Sequence, residues 1–406
     1  MTGVLSGLRV VEVSAFIAAP LGGVTLAQMG ADIIQISDVR GRIDYHRWPL
    51  ADSGTSLYWT SLNKAKRSVR LDLSRPEGQE LAQRLVVGSG GAQDGILLSN
   101  LPARGWMSYD ALTAQRPDLI MLTLTGNPDG STAVDYTVNC SGGFPMITGR
   151  GGEPVNHALP AWDVAAGLYL SVGLLGAERH RRLTGQGQQV SLSLADVMLS
   201  TVANLGYVAE AQVKDSSRPP LGNDVYGAFG RDFPTADGRR VMVVAISDRQ
   251  WRALCEATGL GQQLAMAGPM MGVDLGDETG RYLARDAIAA VLAPWFAARG
   301  LDQVRAAFDG SGVLWGVFQD FKQLVSEDPR CSADNPMFQR IHQPGVGDIL
   351  VSHTPLGFSE VPRSQIKPAP VLGEHTDLVL SEVLGMPDQE IGRLHDRGII
   401  AGPMAA

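Results

Sequence analysis

Residues 8–37, LRVVEVSAFIAAPLGGVTLAQMGADIIQIS, decide the fold. Residues 8–14 have the apolar, β-branched character of a strand. Residues 18–29 read as a helix, because Pro20 is tolerated in a first helical turn and Gly30 can end one. Residues 31–37 are the next strand. Strand, helix and strand in succession make a βαβ unit, whose two strands must run parallel. The connection from Ser14 to Gly23 lacks the GxGxxG spacing that lets a pyrophosphate approach a helix N-terminus, which disfavours an NAD(P) enzyme.

The alternation continues outward from this unit. Residues 68–73, 95–99 and 120–124 read as strands, with helices over 75–85 and 109–115 between them. This half is therefore a doubly wound α/β domain with a mostly parallel sheet, in which ligands bind beyond the carboxyl ends of the strands. Asn100, Leu101, Pro102 and Arg104 occupy one such end. Arg40, Arg42, Arg47, Lys64, Lys66, Arg67 and Arg70 form a basic cluster that by itself reads first as a solvated loop and strand edge, and second as a neutraliser of ligand phosphates.

Farther along stands VNHALPAWD, residues 155–163, followed by an uncharged apolar run over 164–177. Fourteen residues are too few for a bilayer, which needs about 20, so the run reads as a helix buried in a core. Asp163 stands at its mouth. Aspartate is a preferred N-cap, because its carboxylate accepts the first unpaired backbone N–H groups. A carboxylate on a rigid element in a water-excluding site is equally suited to nucleophilic attack.

Residues 189–193 read as a strand and 194–210 as a helix. The stretch 215–224 is linker-like. Beyond it, strands over 240–245 and 313–318 and helices over 248–258, 286–298 and 301–308 suggest a smaller α+β domain. A Pro- and Gly-rich tail ends in helices over 378–384 and 387–397. The expected division is a large domain of residues 1–213 plus 326–406 and a small one of 214–325.

With 406 residues, 44% hydrophobic and 19% charged, the chain has the composition of a globular protein with a large core. A net charge of −8 argues against a nucleic-acid or membrane-surface partner. The three cysteines, Cys140, Cys255 and Cys331, are scattered and odd in number, so neither a disulfide framework nor a metal site is expected. The N-terminus lacks the basic start and apolar core of a signal peptide, and a reducing cytoplasm is the expected location.

Six motifs, taken in order, resemble the family III CoA transferases. They are the βαβ of residues 8–37, KRSVRLDL at 66–73, Asn100-Leu101-Pro102, Asp163 ahead of an apolar helix, TGQGQQV at 184–190 and LGEHTD at 372–377. The resemblance covers essentially the whole chain. It implies an interlocked homodimer, with active sites between the large domain of one subunit and the small domain of the other. It also implies an acyl-CoA substrate with no separate cofactor, CoA being carried as part of that substrate. Asp163 takes the place of the family's nucleophile, and Leu71, Asn100 and Arg104 fall where members line the CoA site. Ile17 stands where relatives have glutamine, and Asp38 where they have a basic residue near the adenosine, so Arg40 or Lys64 is expected to make that contact. Residues 44–49, 102–106, 155–163 and 226–232 are similar to the branch that moves CoA between the two carboxyl groups of one unsaturated C5 dicarboxylate.

The family also holds racemases whose catalytic histidine precedes an aspartate. The matching dipeptide here is Val134-Asp135, so the racemase reading lacks its base. Transfer between separate acids, and a catalytically silent CoA-binding protein in which Asp163 only caps its helix, stay open as alternatives. An aspartate of ordinary pKa, about 3.9, would be ionised and ready to attack. Oxyanions are expected to meet the backbone N–H groups beside Asp163. Retention of a free diacid needs carboxylate donors, for which Tyr136, His157, His46 and Arg47 are the candidates; Trp162 is expected to pack.

Overall fold

The opening unit folds as β1 (Arg9–Val13), α1 (Ala18–Gln28) and β2 (Asp32–Asp38). In the computed structural model, which describes residues 3–404, β1 and β2 pair in parallel with Val11 opposite Ile34. The chain continues through α2 (Leu57–Leu62), β3 (Arg67–Leu71), α3 (Pro76–Val87), β4 (Ile96–Ser99), α4 (Tyr109–Thr113), β5 (Ile120–Thr125) and α5 (Asp135–Ser141). Residues 143–156, with the short helix α6 (Phe144–Thr148), belong to a second unit. The first unit resumes with α7 (Ala161–Thr184), β6 (Gln188–Ser193), α8 (Leu194–Asn204) and α9 (Tyr207–Lys214).

Strands β3, β2, β1, β4, β5 and β6 lie side by side in that order and all run parallel. The chain starts in the middle at β1, builds outward to β3, then returns to β4 and builds the other way. The switch between β1 and β4 opens a crevice at the carboxyl ends of the strands, where doubly wound sheets bind ligands. A short antiparallel edge strand near the C-terminus (Ile400–Ala401) pairs with β3.

Both faces of the sheet are covered, as parallel sheets require. Val11, Ile34, Val69, Leu97 and Met121 face a core completed by Leu81 and Leu85 of α3 and by Val379 and Leu380 of the helix Thr376–Leu384. On the other face α1 packs along α7. Their contact is close because Gly167 faces α1: a Cβ there would sit 2.6 Å from the Ala18 carbonyl oxygen.

The second unit comprises residues 143–156 and 214–328. Its sheet orders β7 (Phe229–Pro234), β8 (Arg240–Ala245) and β9 (Leu314–Val317), all antiparallel. Phe233 stacks on Phe296 with ring centroids 4.5 Å apart, and Trp251, Leu254, Ile288 and Leu292 complete the core.

Several sequence expectations are corrected. Residues 143–156 lie with the smaller unit, not the larger, and the chain returns at residue 329 instead of 326. The Pro- and Gly-rich tail contains a hairpin, β10 (Phe338–Gln343) and β11 (Gly347–Ser352), whose turn consists of residues 344–346. The expected helix over 194–210 breaks at Gly206, which adopts φ +83°. Helix α7 begins earlier and runs longer than the apolar stretch. Its Leu168, Tyr169, Val172 and Leu183 are exposed, so the helix is only half buried. Among the described residues no helix is long and apolar enough to cross a membrane.

Candidate active site

The first turn of α7 carries Asp163, and the turn is held from outside the helix. Its N-cap is Pro160, which offers no capping side chain. The free backbone N–H groups of Trp162 and Asp163 instead donate to Asp135 Oδ2, at 2.7 and 3.1 Å. Asp135 is buried at the start of α5, and from the same helix Asn139 Oδ1 accepts the indole N–H of Trp162 at 3.0 Å. Asp135 is therefore the cap of α7, supplied from 28 residues earlier. The reading of Asp163 as its own helix's cap is corrected. So is the expectation that the adjacent N–H groups meet an oxyanion, since Asp135 already occupies them.

The other oxygen of Asp135, Oδ1, accepts a hydrogen bond from His157 Nε2 at 2.5 Å. Val134 supplies no base, but an imidazole from another segment stands on the following aspartate. The Tyr136 ring meets His157 edge-on, with centroids 5.9 Å apart. Trp162 is buried and packs.

Asp163 itself is partly buried, and among the described residues no group hydrogen-bonds or ion-pairs with its carboxylate. Burial, followed by the nearby charge of Asp135, pushes its pKa up to about 6. The expectation of an ordinary value is corrected. The group is still mostly ionised at neutral pH and, being more basic, is a stronger nucleophile than a solvated aspartate.

The turn after β1 borders the same region. Asn100, at the end of β4, accepts the Ala15 N–H on Oδ1 at 2.9 Å and donates from Nδ2 to the Ala15 carbonyl at 2.7 Å. This pairing staples the two strands together across the switch point. The next residue, Phe16, adopts φ +65°, a conformation costly for an aromatic residue. Its N–H donates to Asp44 Oδ2 at 2.8 Å, and Asp44 is buried in a two-pronged ion pair with Arg42. Arg47 places its guanidinium carbon 5.5 Å from the Phe16 ring centroid and 5.1 Å from that of Tyr58.

Tyr58, in α2, has a buried hydroxyl without a hydrogen-bond partner among the described residues. Burial pushes its pKa up, and the charges of Arg47, Asp44, Asp163 and Tyr136 act on it. Sequence reasoning missed both Tyr58 and the role of Asp135. An isolated tyrosine in a short helix carries no pattern, and in the sequence Asp135 stands out only as the neighbour of Val134.

Of the residues expected to touch substrate, Tyr136, His157 and Arg47 thus stand around Asp163 and Tyr58. His46 is exposed and packs edge-on against Tyr45, with centroids 5.0 Å apart. Of those expected at CoA, Arg40 follows β2, exposed and paired with Asp38 at 2.6 Å. Arg104 follows β4, exposed and without an ion pair among the described residues. Leu71 ends β3 and is wholly buried, and its carbonyl accepts the Val39 N–H at 3.1 Å. Both amide atoms of Asn100 are engaged by Ala15. Lys64 stands apart: it precedes β3, at the amino-terminal edge of the sheet, where its charge acts on His353.

Among the described residues no group of three or more His, Cys, Asp or Glu is placed to hold a metal. The smaller unit contains a cavity of about 570 Å³, but its Arg150, Arg231 and Arg240 are already paired with Asp232, Asp224 and Asp286. That leaves little uncompensated charge for an anion.

Comparison with known proteins gives a concordant answer. The chain is 52% identical to 2-methylfumaryl-CoA isomerase of Chloroflexus aurantiacus over 406 residues, 99% of each chain. It is 29% identical to succinate–glutarate CoA-transferase of Agrobacterium fabrum, covering 93% of this chain and 95% of that one. Among solved structures, a CAIB/BAIF family protein from Brucella suis superposes with a TM-score of 0.76 at 26% identity, covering 94% of this chain and all of that one. The pattern of CoA-transferase family III matches residues 5–376, and the chain belongs to that family.

Proposed function

We propose that the protein is an isomerase that moves CoA between the two carboxyl groups of one bound dicarboxylate, converting 2-methylfumaryl-CoA (mesaconyl-CoA) to 3-methylfumaryl-CoA. The observation that carries this reading is an unpaired aspartate of raised pKa at the rigid start of α7, in a chain 52% identical along its length to a 2-methylfumaryl-CoA isomerase.

Asp163 attacks the thioester carbonyl carbon, the C–S bond breaks, and a mixed anhydride and CoA thiolate result. The thiolate attacks the aspartyl carbonyl, releasing the dicarboxylate and leaving an aspartyl-CoA thioester. The dicarboxylate turns, its other carboxylate attacks that thioester, and the same steps in reverse form the isomer. Across the cycle one thioester is exchanged for another of similar energy, and the mixed anhydride keeps the energy of the acyl bond it replaces from being lost to water, so no energy source is consumed. Holding the freed acid beside the acyl-enzyme replaces a second binding event with a high effective concentration. CoA enters and leaves as part of the substrate, over the carboxyl edge of the sheet where Arg40 and Arg104 stand.

The exposed apolar side chains Leu168, Tyr169 and Val172 of α7, with Leu199, Leu205 and Val208 beyond, support a homodimer. Helix α9 has no buried residue at all. Sedimentation of a dimer is expected, and a monomer at micromolar concentration removes this part of the reading. The reaction is tested by supplying purified protein with mesaconyl-CoA and following both isomers by chromatography in the presence of labelled free mesaconate. Isomerisation without label in the product is expected. Label in the product would favour transfer between separate acids, the activity named for the Agrobacterium relative.

A further inference from the structure

We infer that Tyr58 and Arg47 together hold the carboxylate of the bound diacid that does not carry CoA, and that this pair selects dicarboxylate over monocarboxylate substrates. The inference rests on the functional reading above and names the residues that recognise the second acid group.

The two side chains are built as one unit. Ser56, the N-cap of α2, accepts the Trp59 N–H at 3.1 Å and donates its hydroxyl to the Arg47 carbonyl at 2.5 Å. One hydroxyl thereby fixes both the start of the helix that carries Tyr58 and the backbone of Arg47. The Arg47 guanidinium then lies over the Tyr58 ring, 5.1 Å from its centroid, with Phe16 on its other contact at 5.5 Å. Stacking of this kind orients a guanidinium while leaving its N–H donors free. Asp44, a neighbouring acid, is already committed to Arg42 and to the Phe16 N–H. Arg47 has no ion pair among the described residues.

Tyr58 supplies the complementary group. Its hydroxyl is buried without an acceptor among the described residues, a state that native proteins avoid unless something else satisfies the group. The phenol stays protonated because burial pushes its pKa up, so it is a neutral donor at every working pH. The Asp163 carboxylate is among the charges that raise its pKa, so the phenol and the nucleophile share one region. A cation and a phenol side by side, near a nucleophile, make a receptor for a carboxylate.

The symmetry of the reaction favours such a receptor. Either carboxyl group of the diacid must in turn face Asp163, and the other must then occupy the far position. A receptor that reads only a carboxylate, and not the methyl substituent beside it, serves both isomers equally. A bland role is also available, in which Tyr58 merely packs beneath Arg47. The two roles differ in whether Tyr58 distinguishes a diacid from a monoacid.

The test uses the full-length Asp163→Ala protein, which cannot turn over, and measures calorimetric affinity for mesaconyl-CoA and for methacrylyl-CoA, the same skeleton without the second carboxylate. Adding Tyr58→Phe is expected to weaken mesaconyl-CoA roughly ten- to a hundredfold, the effect of losing a hydrogen bond to a charged group, and to leave methacrylyl-CoA within about twofold. Arg47→Gln is expected to show the same selectivity. A loss shared equally by both thioesters, or no loss in either variant, overturns the proposal. Failure of the Asp163→Ala parent to prefer the diacid overturns the functional reading itself, and the proposal with it.

Discussion

Asp135 Oδ2 accepts the backbone N–H of Asp163 at 3.1 Å, so one carboxylate caps the helix on which the other is presented. The arrangement has two opposing effects. The cap fixes the first turn of α7 and hence the direction in which Asp163 points. The same negative charge, added to burial, disfavours ionisation of Asp163 and makes it more basic. His157, hydrogen-bonded to the far oxygen of Asp135, holds that carboxylate in place from the opposite side.

The first prediction concerns pH. Attack requires ionised Asp163, so kcat/KM for mesaconyl-CoA should fall on the acid side with an apparent pKa of about 6. Asp135→Asn keeps an oxygen for the two N–H groups but removes the charge. The acid limb should then move to lower pH, and the rate at pH 7 should fall because the nucleophile is less basic. An acid limb that stays in place in Asp135→Asn, measured over pH 4.5–8, counts against this coupling.

The second prediction is that the nucleophile weakens the fold. An aspartate whose folded-state pKa is raised from 3.8 to about 6 is held protonated by the native state between those values. Native stability is therefore reduced once pH exceeds both, and unaffected once pH is below both. Asp163→Ala should abolish isomerisation while raising stability by about 3 kcal/mol at pH 7.5, with the gain shrinking toward zero by pH 4. Thermal unfolding of both proteins across that range measures it. An equal or lower melting temperature for the variant at pH 7.5 contradicts the argument.

The limits of sequence reading follow from the same residues. The βαβ unit was legible because strand and helix periodicities are local, and residues 8–37 contain nothing that conflicts with them. Asp163 was legible as a site, but its cap was not, since a cap supplied across 28 residues leaves no mark in the local sequence. Strand β7 carries Arg231, Asp232 and Pro234, which hide its alternation. Leu168, Tyr169 and Val172 look like core residues because an exposed apolar face has the same composition as a buried one. Lys64 is expected near CoA as a cation replacing the basic residue that relatives have where Asp38 stands, and charge does not say at which end of a strand a residue lies.

The third prediction separates two roles for Asn100. If it touched only CoA, its removal would leave the ligand-free protein unchanged. Because it pairs with both backbone groups of buried Ala15, Asn100→Ala should destabilise the ligand-free protein by about 2 kcal/mol. The strained Phe16 turn should loosen with it, lowering kcat/KM roughly tenfold, because positioning around the reacting atoms depends on that turn. Asn100→Asp keeps the acceptor but sets a carboxylate oxygen against the Ala15 carbonyl, and should destabilise at least as much as Asn100→Ala. Chemical denaturation without CoA decides the matter.

The fourth prediction lies beneath the site, at Gly23. Lys66 Nζ is 2.9 Å from each carboxylate oxygen of Glu12, and both side chains are fully buried between the sheet and α1. A Cβ on Gly23 would stand 1.8 Å from Glu12 Oε2 and 3.2 Å from Lys66 Nζ. Gly23→Ala must therefore displace α1 or part the ion pair, and parting a buried pair costs about 3–5 kcal/mol. The effect should depend on the pair. In a Glu12→Ala, Lys66→Met background, which leaves room and no unpaired charge, adding Gly23→Ala should cost less than about 1 kcal/mol, the non-additivity expected of groups in contact. Urea denaturation of the four proteins gives the coupling. Equal costs in both backgrounds would mean that Gly23 is required by the backbone of α1 and not by the charges it shelters.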